Sequence, residues 1–363
     1  MKNTSILTTI DTAIRFDNYL KSVNLPTFTS SRFCFMIDNP TPPVPKAEAI
    51  LPASQSPMRA LVLGGGSLKG AFQVGAVMAL FESGFVPDQL YGISVGSLNA
   101  TFIANEAARQ YSETGQTDWV KVGKHLIEFW IRNITKPDDV AVIRSRFRMG
   151  YNTIMSRFDG LLDNSPIQNL ISKHVDMETI RKGPVKIKVG AVDIIQGDMY
   201  YADASDPHFL DYVYASSSLP FLMPAVQIGG DHRRAFLDGG LREVAPLRVA
   251  IEDGATDIAC VACHARKIYN EKFNYRNLLN LMDRVKDITV NQLVNNDIAW
   301  AERFAERERL HGRTLNLTVI RPTEPLSLNL MKFTSEDISK MIIQGYQAGV
   351  ELLKKSTVDK EVR

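Results

Sequence analysis

The chain has 363 residues, 45% of them hydrophobic and 23% charged, enough apolar material for a substantial core in one large domain or two small ones. Lys and Arg together number 42 against 40 Asp and Glu, so no global charge field points to nucleic acid or to an acidic substrate. The three cysteines, Cys34, Cys260 and Cys263, are too few for a disulfide framework and fit a reduced compartment. No apolar run approaches the roughly 18 residues that a spanning helix needs.

In residues 1–16 the apolar character is interrupted by Thr8, Thr9, Asp11, Thr12 and Arg15, so the start does not read as a secretory signal. The expected location is the cytoplasm or a membrane periphery, with export that uses no cleaved N-terminal signal left open. Residues 10–23 fit a short amphipathic helix. Residues 39–45, with four prolines, favour extended backbone, and residues 54–57 continue that texture. Residues 1–57 are therefore expected to be a partly disordered appendage and linker, ahead of a domain over residues 58–355 and a short tail over 356–363.

From Arg59 the pattern becomes strand, turn, helix, repeated. Residues 60–63 read as a buried strand and 71–83 as a helix; residues 90–93 and 97–106 repeat the pair. Residues 122–134 place Val122, Leu126, Trp130 and Ile134 on one helical stripe. Strands follow at 185–194 and 199–202 around a turn at Gln196-Gly197-Asp198, then at 236–237 and 257–262. A long helical stretch over 277–311, a strand at 315–320 and a helix over 335–353 capped by Ser335 close the chain. Repeated β-turn-α units imply a three-layer α/β/α sandwich with a mostly parallel central sheet. Arg144, Arg146, Arg148 and Arg157 form the densest basic cluster, suited to a solvated loop or to a lipid headgroup.

Two glycine-built turns carry the chemistry. Gly92-Ile93-Ser94-Val95-Gly96 is a G-x-S-x-G elbow that holds a serine hydroxyl on a tight strand-to-helix turn. Gly64-Gly65-Gly66-Ser67-Leu68-Lys69-Gly70 offers backbone N–H groups at a helix start, suited to a developing oxyanion. Serine needs a base. Of the six histidines, His125, His174, His208, His232, His264 and His311, none carries a local signal marking it as that base. Asp238 in Leu237-Asp238-Gly239-Gly240 ends an apolar strand and precedes two glycines, a good place for a carboxylate that contacts the serine directly.

These three motifs, in this order, resemble the patatin-like phospholipases, lipid acyl hydrolases with a Ser-Asp dyad. The block Ala215-Ser216-Ser217-Ser218-Leu219-Pro220-Phe221-Leu222-Met223-Pro224 is similar to the family's small-residue and proline-rich segment before the Asp. The likeness covers roughly residues 58–241 well and the rest only by general pattern. It implies Ser94 as nucleophile, Asp238 as base, and an oxyanion hole around Gly65, Gly66 and Ser67 with Lys69 nearby, Gly70, Gly92, Gly96, Gly239 and Gly240 being motif glycines. It implies a phospholipid or other acyl-ester substrate at a peripheral membrane surface, with no metal or other cofactor and with a protein activator left open. Ser67 stands where the family commonly has a glycine, and serine visits positive φ less readily. Lys69 stands where Arg is more frequent, keeping the charge without the planar fork.

Other readings fare worse. In the frame of Gly64 the pattern G-x-G-x-x-G fails at Lys69, which weakens a dinucleotide site, and no G-K-[ST] is present for a P-loop. Cys260-Val261-Ala262-Cys263-His264 matches a haem-attachment spacing but occupies a buried-type strand. A catalytically silent or acyltransferase relative that binds lipid is the main alternative to a hydrolase.

Overall fold

The computed structural model describes residues 57–144, 160–230, 234–269, 276, 278–326, 328 and 332–361. The expected helix at 10–23, the linker at 39–45, Cys34, Arg146, Arg148, Arg157 and His232 lie outside these residues. β1 (Arg59–Leu63) turns into α1 (Gly70–Glu82), β2 (Gln89–Ile93) into α2 (Val95–Thr114), and α3 (Trp119–Asn133) follows. The two-residue strands β3 (Val142–Ile143) and β4 (Leu162–Asp163) pair antiparallel, ahead of α4 (Ser165–His174) and α5 (Met177–Arg181). Next come the hairpin β5 (Lys186–Asp193) and β6 (Asp198–Asp203), then α6 (Phe209–Ser216), β7 (Phe236–Asp238) and α7 (Leu247–Glu252). The chain ends with β8 (Asp257–Val261), α8 (Leu278–Leu310), β9 (Asn316–Ile320) and α9 (Ser335–Glu361).

The main sheet runs β6-β5-β2-β1-β8-β9. Pairs within β5-β2-β1-β8-β9 are parallel, while β6 and β7 each pair antiparallel with β5. Successive side chains on a strand point to opposite faces. Leu61 and Leu63 accordingly join one core cluster with α1 to α4 and α9, while Ala60 and Val62 join another with α7 and α8. Ala259 and Val261 against Ile258 and Cys260 divide in the same way on β8. The result is the expected three-layer α/β/α arrangement with a mostly parallel sheet.

The closing helix is seated by missing side chains. A Cβ on Gly345 would stand 1.8 Å from the Phe72 carbonyl oxygen, and one on Gly75 would stand 1.8 Å from that of Ile342. Only glycine lets α1 and α9 approach so closely.

Several boundaries differ from expectation for local reasons. α2 begins at Val95, directly after the elbow, and continues to Thr114. The cap of α9 is Thr334, whose Oγ1 accepts the Asp337 N–H while the Asp337 carboxylate accepts from Thr334, so Ser335 is the first helical residue and not the cap. α9 also continues through the boundary set at residue 355 to Glu361, since no Gly or Pro interrupts that stretch. α4 to α7 are short and lack a long periodic pattern, although Pro166 early in α4 and Asp176, whose side chain accepts the Glu178 N–H, are start signals.

Candidate active site

Ser94 sits where β2 stops and α2 starts, with φ 56° and ψ −128°, a conformation that non-glycine residues rarely adopt. The flanking glycines make the turn fit. A Cβ on Gly96 would lie 2.0 Å from the Leu63 carbonyl oxygen, and one on Gly92 would lie 2.5 Å from that of Gly96. The main chain of Ser94 is held on both sides: its N–H donates to Ser216 Oγ at 2.8 Å, and its carbonyl accepts from Ser97 Oγ at 2.6 Å and Ser97 N at 2.9 Å. Those bonds fix the residue and leave its hydroxyl to act.

That hydroxyl donates to Asp238 Oδ2 at 2.6 Å. The carboxylate reaches it because β7 pairs with the upper part of β5, with Asp238 opposite Ala191, one residue beyond the level at which Gly190 pairs with Ile93 of β2. Gly240 N donates to Oδ1 at 2.7 Å, and the Asp238 N–H donates to the Ser218 carbonyl at 3.0 Å. Burial pushes the Asp238 carboxyl up to about 6, against the opposing pull of its bonds from Ser94 and Gly240 and of the Lys286 charge. The carboxyl is ionised at neutral pH yet much closer to the range of an efficient proton acceptor than an exposed Asp.

The first glycine turn packs beside the elbow. A Cβ on Gly65 would come within 3.3 Å of Ser94 Cβ. The Gly65 N–H, however, donates to the Val244 carbonyl at 2.9 Å, which removes it from the expected donor set. Among the described residues the N–H groups of Gly66, Ser67 and Leu68 have no backbone acceptor, so the available donors lie one to three residues further on. Ser67 takes φ 53°, the left-handed conformation that glycine would have supplied. Lys69 Nζ is held by Asp287 of α8 at 3.2 Å. Gly70 faces Val95, and Gly239 packs against the Gly190 carbonyl, each with no room for a side chain.

A buried polar chain behind the turn has no counterpart in the sequence reading. Trp130 Nε1 donates to Asn99 Oδ1 at 2.8 Å, Asn99 Nδ2 to Gln73 Oε1 at 3.0 Å, and Gln73 Nε2 to the Gly64 carbonyl at 2.6 Å. It ties α3, α2 and α1 to the first glycine turn. The available signal was Gln73 alone within an otherwise small and apolar helix, a placement that asks for buried partners. Ser216 and Ser218, which hold Ser94 and the Asp238 strand, also lay in the block before Asp238 without individual roles.

An apolar pocket opens from Ser94. From Ser94, the residue that caps α2, Leu98 and Phe102 follow at four-residue spacing, a row about 12 Å long at 1.5 Å per residue. Trp130 and Ile134 and the α4 residues Ile167 and Ile171 wall it. Phe102, Phe129 and His174 pack together at its far end, with ring centroids 4.5 and 5.4 Å apart.

The described histidines are engaged elsewhere: His125 with Glu106, His174 with the Leu170 carbonyl, His208 with Asp211 and His311 with the Arg307 carbonyl. His264 is buried, and its Nδ1 has no partner among the described residues. Burial pushes the thiols of Cys260 and Cys263 up to about 12, as for inert core cysteines. No group of residues able to hold a metal occurs among the described residues.

The family model for patatin-like phospholipase matches residues 61–251, more than half of the chain and the whole stretch from the first glycine turn past Asp238. The chain belongs to the patatin-like phospholipase family. Patatin-like phospholipase domain-containing protein 7 of Mus musculus is 30% identical over 207 residues, which are 57% of this chain and 14% of that protein, so this chain spans only a small part of that relative. Among solved structures, VipD from Legionella pneumophila is similar with a TM-score of 0.39 and 11% identity over 83% of this chain and 68% of that one. The heterodimeric ExoU-SpcU complex from the type III secretion system of Pseudomonas aeruginosa gives 0.32 and 15%, over 83% and 52%. In this patatin-like chain the match ends inside α7, before β8, α8, β9 and α9.

Proposed function

We propose that this chain hydrolyses carboxylic esters of lipids, phospholipids foremost, through a Ser94-Asp238 dyad. The observation that carries the reading is the 2.6 Å bond from Ser94 Oγ to a buried Asp238 at the head of an apolar pocket. Asp238 takes the Ser94 proton as Oγ attacks the ester carbonyl. The oxyanion is held by N–H groups of Gly66, Ser67 and Leu68, which follow the Gly65 that packs on Ser94 and have no backbone acceptor among the described residues. Collapse returns the proton from Asp238 to the leaving alcohol and leaves an acyl-enzyme. Asp238 then deprotonates a water that releases the fatty acid.

The pocket favours an acyl chain in its walls, since its lining is apolar apart from groups near Ser94 and His174 at the far end. Treating phosphatidylcholine vesicles with wild type should release fatty acid, and Ser94→Ala and Asp238→Asn should each stop release while remaining folded. A fluorophosphonate probe should label wild type and not Ser94→Ala. Unchanged release by the Asp238 variant would overturn the dyad.

A further inference from the structure

Along one wall of the pocket, the β3–β4 ribbon and the loop after α6 build a small core of their own. Ala141, Leu162 and Met223 are buried there, with Leu219 and Leu222 packed against them. Leu162 N donates to the Leu222 carbonyl at 2.7 Å, so ribbon and loop are joined through the backbone as well. The inner side of this unit belongs to the pocket, through Val140, Leu219 and Met223.

Apolar side chains around it also face solvent. Val142 is 43% exposed, Ile143 61% and Phe221 67%. Ile143 is the β-partner of Leu162, which is bonded to Leu222, so Ile143 and Phe221 stand on adjoining backbone. Phe221 is held there at φ 64°, a conformation bulky side chains rarely take. Leu219 and Met223, two residues to either side, face the pocket while Phe221 faces out. Scattered exposed apolar residues need no explanation, but a strained phenylalanine on backbone adjoining an exposed Val-Ile pair, each next to a pocket-lining residue or pair, does. Arg144 follows Ile143 directly, with its Nε on the Leu162 carbonyl at 3.3 Å, and adds positive charge to the same rim.

Resting on the hydrolase reading, we infer that this rim is the face that docks on a lipid bilayer, with Ile143 and Phe221 entering the acyl region and Arg144 at the level of the phosphates. Continuity with the pocket argues for lipid over protein: a bilayer on this face delivers an acyl chain straight to the opening, whereas a protein seated there would close it. The apolar side chains are also too few for a stable protein interface, which takes roughly 800 Å² from each partner. On a bilayer a few inserted side chains beside a cationic group suffice for reversible attachment.

The test uses the full chain and sedimentation with vesicles of phosphatidylcholine containing phosphatidylglycerol. Ser94→Ala should bind as wild type. Ile143→Asp and Phe221→Asp should each lower the partition coefficient about tenfold or more, as withdrawal of one large apolar side chain from lipid predicts. Phe221→Gly, which relieves the backbone conformation, should lose binding while gaining thermal stability, which separates docking from folding. Ile143→Asp, Phe221→Asp and Phe221→Gly should each hydrolyse a dispersed short-chain p-nitrophenyl ester at the wild-type rate. Wild-type vesicle binding by a folded Ile143→Asp/Phe221→Asp double variant would overturn the proposal, as would self-association of wild type that the double variant abolishes. Vesicle binding that depends on these residues in a protein without any esterase activity would keep the docking face and sink the hydrolase reading alone.

Discussion

Asp238→Asn should make the protein more stable at neutral pH while abolishing activity. The ordinary Asp carboxyl titrates at 3.8, whereas burial moves that of Asp238 to about 6 in the folded chain. Below about pH 3.8 the group is neutral in both states and costs the fold nothing. As pH rises from there to about 6, the unfolded chain releases its proton and the folded chain does not, so the folded state loses stability across that window; above it the loss is constant. At 1.36 kcal/mol per pH unit the full loss is about 3 kcal/mol. Asparagine resembles the neutral acid in shape, can still accept the Gly240 N–H through its amide oxygen, and has nothing to ionise. Urea unfolding of wild type and Asp238→Asn at matched pH values from about 4 to 8 isolates this term, because every other titrating group cancels in the difference. The variant's advantage should grow by roughly 2.5 kcal/mol across the series, part of the full loss being already present at about pH 4, and level off above about pH 6. A constant offset at all pH values would refute the reasoning, since it would mean that the carboxyl is not held out of water.

The same ionisation predicts that ester hydrolysis falls on the acid side with a midpoint near pH 6, read from kcat/KM on a short-chain ester, because only the ionised Asp238 can accept the Ser94 proton. Ser216→Ala removes the acceptor of the Ser94 N–H and should cost about 1–3 kcal/mol in chemical denaturation, with kcat reduced more than KM is changed. Asn99→Leu strands the Trp130 indole N–H and should cost about 2 kcal/mol or more, while lowering kcat through a loosened first glycine turn. Gly345→Val forces the two closely packed helices apart and should cost about 3 kcal/mol or more, measured as lost soluble yield and a lower midpoint in urea.

Much of this was legible because it is local. A G-x-S-x-G after an apolar run and an Asp-Gly-Gly at a strand end carry their geometry in a few neighbouring residues, and the unbroken apolar runs of β1 and β8 within repeated β-turn-α units announce a sheet covered on both sides. What escaped depends on partners far apart in the chain. Ser216 reaches Ser94 across 122 residues, and Asn99 reaches Gln73 across 26, and nothing in either short segment names the other. The resemblance implied Gly65 among the donors, yet Val244 arrives from another part of the chain and takes its N–H. Ser67 erred in the other direction: a residue with a weak preference for positive φ adopts it when the surrounding turn leaves no alternative.

The recognisable stretch and the foldable stretch are not the same. β1 lies between β2 and β8, and β8 begins at Asp257, after the last matched residue, 251. A clone trimmed to the match would keep Ser94 and Asp238 but turn β1 into an open edge, uncover the sheet face beneath α8 and remove the helix seated on α1. Such a fragment should aggregate, and its silence in an assay would report where the gene was cut, with no bearing on the chemistry. Library screens that define candidates by motif boundaries would therefore score proteins of this build as inactive.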